Sequence, residues 1–370
     1  MQFSRDSESF FVQWLRSLDK IIVFLLLSWI SLGLLFCTTT TLSFASEKIY
    51  DDSSVLVNKY YVFIILGLVI TFSTSIFNEN FYKEFGKYIF LISVIFLIFT
   101  LVFGIEVKGS KRWINLYFFN LQPIELVKPT FVIFLAKIFS SEKSFNFKFI
   151  VSGIVTFILI SILLLQPDYT QGLLVISAWL TVIFISGLNL VIIFSIIASA
   201  IIFMGSLLFL FKDNFSYIFL RFDKWLDVSS ISYQSEKALD AIIYGGFFGR
   251  GIGEGVLSER IPESHTDYVL ASIGEEFGIV AIIFILIIVF SLFMRVFAIC
   301  QTDISNFKKY TLTTLSTLVL LQIFINVCVT LNLMPSTGMT FAFLSYGGSS
   351  ILTSSFLMGV ILSLTKKKYS

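Results

Sequence analysis

Long apolar stretches broken by short polar segments dominate this chain. Runs near 21–44, 60–78, 87–105, 123–141, 149–166, 171–188, 190–211, 267–294, 308–332 and 344–365 are each compatible with a helix that crosses a bilayer, which takes roughly 20 apolar residues. The pattern predicts about ten transmembrane helices. The fourth carries Pro123, Glu125, Lys128 and Pro129 in its first half, and its approach, Lys108–Gln122, is expected along the membrane surface. Between the seventh and eighth lies a hydrophilic stretch, 212–266, too short for much of a core of its own. The expected fold is an all-α integral membrane protein. It is one polytopic bundle over 1–370, in which 212–266 is a large loop and not an independently folding domain.

Lysine and arginine set the orientation. With the amino terminus inside, the inner segments hold Arg5, Arg16, Lys20, Lys83, Lys87, Lys137, Lys143, Lys148, Arg295, Lys308, Lys309 and Lys366–Lys368. The short outer segments hold only Lys48, Lys59, Lys108, Lys111 and Arg112. That bias places both termini in the cytoplasm and the 212–266 loop outside it. Near the start, Arg16 and Lys20, the run Ile21–Phe36 and the small residues around Ala45 imitate a secretory signal. The apolar run continues long enough to span, so it is read as an uncleaved first helix.

Composition agrees with the bilayer reading. Mean hydropathy is +0.91, 56% of residues are hydrophobic and only 14% are charged, against roughly 25% charged in soluble domains. A net charge of +2 gives no footing for a nucleic-acid partner. Cys37, Cys300 and Cys328 fit no zinc spacing or disulfide framework.

Charged and polar groups at the membrane boundary are the candidates for chemistry. Glu125 and Lys128 lie three residues apart on one helical face. They serve either as an interhelical brace or as part of a site. Gln166-Pro167-Asp168 ends the fifth run with a carboxylate. Pro262-Glu263-Ser264-His265-Thr266-Asp267 leads into the eighth, which carries Glu275 and Glu276, expected either to pair with a lysine of an inner span and fix the bundle or to belong to a site. Ser345-Tyr346-Gly347-Gly348-Ser349-Ser350 opens the tenth, as a polar lining or as small-residue helix packing. All four clusters share the outer face. His265 is the only histidine, so a histidine pair or a histidine-rich metal site is excluded. Asp267, at a loop–helix junction, is either a capping residue or an acid placed to ionise. The glycines of 245–255 lack the strand–helix setting of a dinucleotide fingerprint and are read as tight turns.

In order and spacing these motifs resemble the SEDS family (shape, elongation, division and sporulation), the group containing FtsW and RodA. The resemblance rests on Arg112-Trp113-Ile114, Gln122 to Lys128, Gln166-Pro167-Asp168, Gln234 with Gly245-Gly246 and Gly249, Leu257 to Gly278, Pro335 to Gly338 and Leu344 to Ser350. His265-Thr266-Asp267 and Met334 to Gly338 look more like the FtsW, or division, branch. Ile124 and Ala342 depart from the family's usual serine and proline.

The resemblance implies a peptidoglycan glycosyltransferase of the bacterial cytoplasmic (inner) membrane. It would polymerise lipid II on the outer face, at the septum, beside a class B penicillin-binding transpeptidase and other divisome membrane proteins. Asp267 matches the family's essential acid. Around it Arg112, Lys111, Glu125, Lys128, Gln234, Glu263, His265, Ser345, Tyr346 and Ser349 are the expected substrate-binding set. No cofactor is required by this reading, although a divalent cation, Mg2+ or Mn2+, could help offset the pyrophosphate charge. Two other readings stay open: a lipid II flippase, and a non-catalytic scaffold that recruits a transpeptidase.

Overall fold

The structure, a computed structural model, describes residues 10–45, 52–107, 110–117, 119–192, scattered positions between 194 and 206, 233–258, 261 and 264–367. Its helices are α1 (Phe10–Ser17), α2 (Lys20–Ala45), α3 (Asp52–Ile76), α4 (Glu79–Phe103), α5 (Pro123–Phe139), α6 (Phe145–Leu165), α7 (Tyr169–Ile185), α8 (Tyr233–Gly245), α9 (Val269–Cys300), α10 (Asn306–Thr330) and α11 (Gly348–Leu364). By length and composition α2, α3, α4, α6, α9 and α10 can cross a membrane, and α7 and α11 are shorter apolar helices. The predicted run 190–211 and the first part of the 212–266 loop fall largely outside the described residues.

Four features depart from the sequence reading. A short α1 precedes the first span; it is amphipathic, burying Trp14 and exposing Phe10 and Phe11. The approach to α5 is a small antiparallel sheet of β1 (Ile105–Val107), β2 (Ser110–Asn115) and β3 (Asn120–Leu121), not a plain surface segment. In register, Ile105 faces Trp113 and Ile114 faces Leu121. The loop contains α8, whose Ser235, Ala238, Ala241 and Ile242 form a buried stripe at helical spacing. Finally, α11 begins at Gly348, so Ser345 and Tyr346 precede the helix.

That last difference has a cause deep in the bundle. Residues 339–345 form a buried, non-helical strap, and backbone polar groups so placed must find protein partners. They do. The Tyr60 hydroxyl donates to the Phe343 carbonyl at 2.6 Å, the Gln322 carboxamide to Thr340 O at 3.1 Å and that of Asn326 to Met339 O at 2.7 Å. The Phe341 N–H donates to Ser345 Oγ at 2.8 Å. Apolar cover comes from Trp29, which meets Phe293, Phe341 and Phe343 edge-on. Gly33 lets the Phe343 carbonyl approach, since a Cβ there would lie 2.1 Å from it.

A second irregularity interrupts α9. Gly278 (φ 81, ψ 173) is not helical, which leaves the Glu275 and Glu276 carbonyls and the 279 and 280 N–H groups without their usual i→i−4 partners. The turn after α8 replaces them. Arg250 N–H donates to Glu275 O (2.9 Å) and Gly251 N–H to Glu276 O (3.1 Å), while Ile279 and Val280 donate to Gly246 O (3.0 Å) and Phe247 O (3.3 Å). Gly249, at φ 80, lies so close that a Cβ would stand 2.1 Å from Glu276 O. At the opposite end, buried Asp19 caps α2 by accepting the Ile21 and Ile22 N–H groups. It also accepts Arg295 Nη2 at 2.7 Å.

Two outcomes follow for thermal unfolding of the detergent-solubilised protein. Gly249→Ala combines an unfavourable φ with a backbone clash and is expected to cost about 2–3 kcal/mol. For Asp19, burial raises the carboxyl's pKa, but the Arg295 contact and the Ile22 and Ile21 N–H bonds outweigh it, leaving it below the ordinary 3.8. A depressed carboxyl stabilises above its unfolded pKa, and that stability disappears as pH falls through the folded value. Acidification below about pH 4 should therefore lower the melting temperature of the parent protein more than that of Asp19→Asn.

Candidate active site

Several helix ends meet on one side of the bundle: the ends of α4, α6 and α10 and the starts of α5, α7, α9 and α11. Asp267 lies there, half-buried, in the turn just before α9. Its backbone is held with unusual completeness. The Tyr346 N–H donates to the His265 carbonyl at 2.9 Å, the Ser345 hydroxyl to the Thr266 carbonyl and the Asn326 carboxamide to the Asp267 carbonyl at 2.9 Å. Three consecutive carbonyls are thus gripped by donors from α10 and from the segment ahead of α11. The His265 ring faces that of Tyr346 with centroids 6.2 Å apart. Gly338, in the left-handed region at φ 70, lies near the Asp267 carboxylate, where an added Cβ would stand 3.7 Å from Oδ2.

A second group surrounds the α6–α7 turn. Arg112, on β2, donates through Nε to the Gln166 carbonyl at 3.2 Å and through Nη2 to the Pro167 carbonyl. Its Nε is 3.6 Å from Asp168 Oδ2. Burial pushes the Asp168 carboxyl up from the ordinary value, against the pull of the Arg112 charge. Gln122 reaches Asp168 at 3.4 Å, and its N–H donates to Ser349 Oγ at 3.1 Å, so α5, α7 and α11 share one polar seam. Lys111, next to Arg112, is exposed and projects to the other side of the strand.

Between these groups lies the buried Glu125–Lys128 pair. Lys128 Nζ is 3.0 Å from both carboxylate oxygens and donates to Gln322 Oε1 at 3.1 Å. Glu125 also accepts from Gln171 at 2.8 Å. Beside the pair is a small cavity of about 20 Å³ that Gln322, Ala342 and Thr353 help to line, room for about one water.

Among the described residues Glu275 is held by backbone N–H groups, not by an inner-span lysine as expected. Glu275, fully buried, accepts the N–H groups of Val256 (2.9 Å), Leu257 (2.8 Å) and Ser258 (2.6 Å). It fastens the returning limb of the loop to α9. Those N–H groups satisfy a carboxylate without any cation, which sequence spacing does not reveal. Gln234 is half-buried on α8, beside Ser235, whose hydroxyl is 3.0 Å from that of Tyr268. Glu263 lies outside the described residues. The residues missed in the sequence are Gln171, Gln322 and Asn326. The last two are carboxamides one helical turn apart in an apolar run, a legible signal of inward-facing polarity.

Comparison with known proteins decides the family. The FtsW–RodA–SpoVE model, described as a cell cycle protein, matches residues 19–370. The chain belongs to the FtsW–RodA–SpoVE family. Similar relatives include the probable peptidoglycan glycosyltransferase FtsW of Trichlorobacter lovleyi, 28% identical over 362 residues, covering 95% of this chain and 94% of that one. The same description holds for a Caulobacter vibrioides protein, 28% identical over 374 residues and covering 99% and 94%. Among solved structures, a peptidoglycan synthase complex that coordinates polymerization and crosslinking has a chain matching with TM-score 0.79 at 23% identity, over 94% of this chain and 98% of that one. Thermus thermophilus RodA matches with TM-score 0.70 at 23% identity, over 94% and 97%. This FtsW–RodA–SpoVE protein is accordingly a multi-pass membrane protein with the fold of that group.

Lys128→Met should cost about 3–5 kcal/mol in the same unfolding measurement, because it strands a buried carboxylate. Adding Glu125→Gln should recover most of that loss.

Proposed function

We propose that this protein is a peptidoglycan glycosyltransferase that polymerises lipid II into β-1,4-linked glycan. The observation that carries the reading is the grip on three consecutive carbonyls, 265–267, which presents one acid side chain at a partly open turn. Relatives named for this activity support it. The lysine and arginine bias supports placement in the bacterial cytoplasmic membrane, with both termini in the cytoplasm and Asp267 on the outer face. The FtsW relatives favour septal synthesis, and the resemblance to a synthase-complex chain favours a class B penicillin-binding transpeptidase as partner.

In this mechanism the donor sugar is α-linked to undecaprenyl pyrophosphate and the product is β-linked, so the reaction is a single inversion. The Asp267 carboxylate takes the proton of the acceptor's GlcNAc 4-hydroxyl. That oxygen forms the new bond to the donor's anomeric carbon as the bond to the pyrophosphate oxygen breaks, and the undecaprenyl pyrophosphate departs with the electron pair. A fixed general base typically contributes 10²–10⁴-fold. Arg112, partly exposed and held by the α6–α7 turn, is the cation placed to offset charge on the departing group. Lys128, enclosed by Glu125 and Gln322, acts as a brace. Among the described residues no three His, Cys, Asp or Glu side chains converge to hold a metal, and no step is assigned to one.

The test is polymerisation of lipid II by the purified protein with its cognate transpeptidase, read as glycan strands on a gel. Asp267→Asn and Asp267→Ala should reduce polymer by about 10²–10⁴-fold with an unchanged melting temperature. Substantial polymer from either pure variant overturns the assignment. The folded Glu125→Gln/Lys128→Met variant should retain polymerisation; its loss would make Lys128 part of the charge clamp. Lipid II crossing sealed vesicles with no polymer formed would indicate a carrier.

A further inference from the structure

The turn that repairs the α9 break carries an apolar surface that the site does not use. Phe247 is 74% exposed, Phe248 84% and Ile252 64%, and Ile243 on α8 is exposed beside them. Apolar rings this accessible, clustered in one turn, normally mark a contact surface. The backbone bonds to Glu275, Glu276, Ile279 and Val280 fix where the turn sits along α9: level with Gly278.

That level can be related to a bilayer. The stretch 279–300 is about 33 Å long, close to the roughly 30 Å hydrocarbon thickness. Its outward row, Val280, Ile283, Phe284 and Ile287, is exposed and faces lipid in a multi-pass protein. The half before the break, 269–276, is buried within the protein. Gly278 therefore marks where α9 passes from protein cover into the lipid-facing row, on the side where Asp267 lies. Phe247 lies beside the start of that row, its carbonyl accepting the Val280 N–H at 3.3 Å, and Phe248 follows it in the turn.

The neighbouring polar groups have the arrangement expected at headgroup level. Arg250 turns back along α8: its Nε donates to the Tyr244 carbonyl at 2.7 Å, and the guanidinium lies 4.0 Å from the Tyr244 ring centroid. A tyrosine and an arginine that folds away from an apolar tip are typical of the membrane–water interface.

We propose that residues 246–252 form a lipid-inserted wedge. Phe247, Phe248 and Ile252 sit among the acyl chains of the leaflet on the Asp267 side, with Arg250 and Tyr244 at the phosphate level. The wedge anchors the loop in the bilayer independently of any substrate, and the identity of the catalytic acid does not enter into it.

The test places a nitroxide label on Phe248→Cys in nanodiscs of phosphatidylethanolamine and phosphatidylglycerol, with Cys37, Cys300 and Cys328 as buried background. Collisions with oxygen and with a water-soluble nickel chelate report depth. The label should favour oxygen, as a Phe284→Cys lipid control does, and lie about 5–10 Å inside the phosphates. A Glu236→Cys control on α8 should favour the chelate. A Phe248→Cys label that behaves like the Glu236 control overturns the proposal. So does one shielded from both reagents, which would mean that protein covers this face. Ile252→Cys carries the same test should Phe248→Cys not fold.

Discussion

Irregular backbone inside a membrane protein is tolerated only when every exposed N–H and C=O finds a partner within the protein, and this bundle is arranged around that constraint. The 339–345 strap enters well below the helix ends: its Phe343 carbonyl meets Gly33, about 20 Å along α2 from Lys20. Tyr60, Gln322, Asn326 and Ser345 each supply one bond to it. Each comes from a different position along the chain. The strap is therefore defined jointly by α3, α10 and its own serine, and cannot shift by one residue without stranding several buried groups.

The same groups reach outward to the acid. Asn326 holds the strap at Met339 and the turn at Asp267 with one carboxamide nitrogen. Ser345 accepts from the strap and donates to Thr266. The backbone of Asp267 is thus fixed by residues whose first duty is to keep the interior satisfied, which is how a loop residue acquires a precise position. The Glu125–Lys128–Gln322 chain adds an anchor from α5 to the strap through Thr340. An ion pair that buried contributes little net stability compared with apolar packing. What it supplies is a unique arrangement, since Gln322 and Gln171 fit only one placement of the two charges.

The spans were legible because hydropathy over some twenty residues needs no knowledge of partners. The run expected at 21–44 became Lys20–Ala45, and that at 308–332 became Asn306–Thr330. Local pattern was less informative where structure depends on distant partners. Ser345 and Tyr346 sit in a sequence that could continue a helix, but their bonds go to Thr266 and His265. The strands before α5 are too short to show alternation, and α8 is too polar for a hydropathy window despite its regular buried stripe. Glu275 was misjudged for a related reason. A buried carboxylate was expected to need a lysine, whereas consecutive backbone N–H groups serve it equally well and leave no mark in the sequence.

The two irregularities, the strap and the break at Gly278, both follow Asp267 in the chain, and their consequences differ. The strap is satisfied largely by side chains, so single substitutions can weaken it selectively. The α9 break is satisfied by backbone alone, from residues 246–251, and depends on two glycines that allow the chains to meet. Backbone pairing of this kind holds α8 and its turn to α9 as firmly as a helix holds itself, while Glu275 fixes the limb that returns toward Asp267. The acid is therefore bounded on one side by a rigid unit built on α9 and on the other by α10 and the strap. Both units contact the acid through its backbone, α9 by chain continuity and α10 with the strap by hydrogen bonds, so a change in either is felt at the same turn.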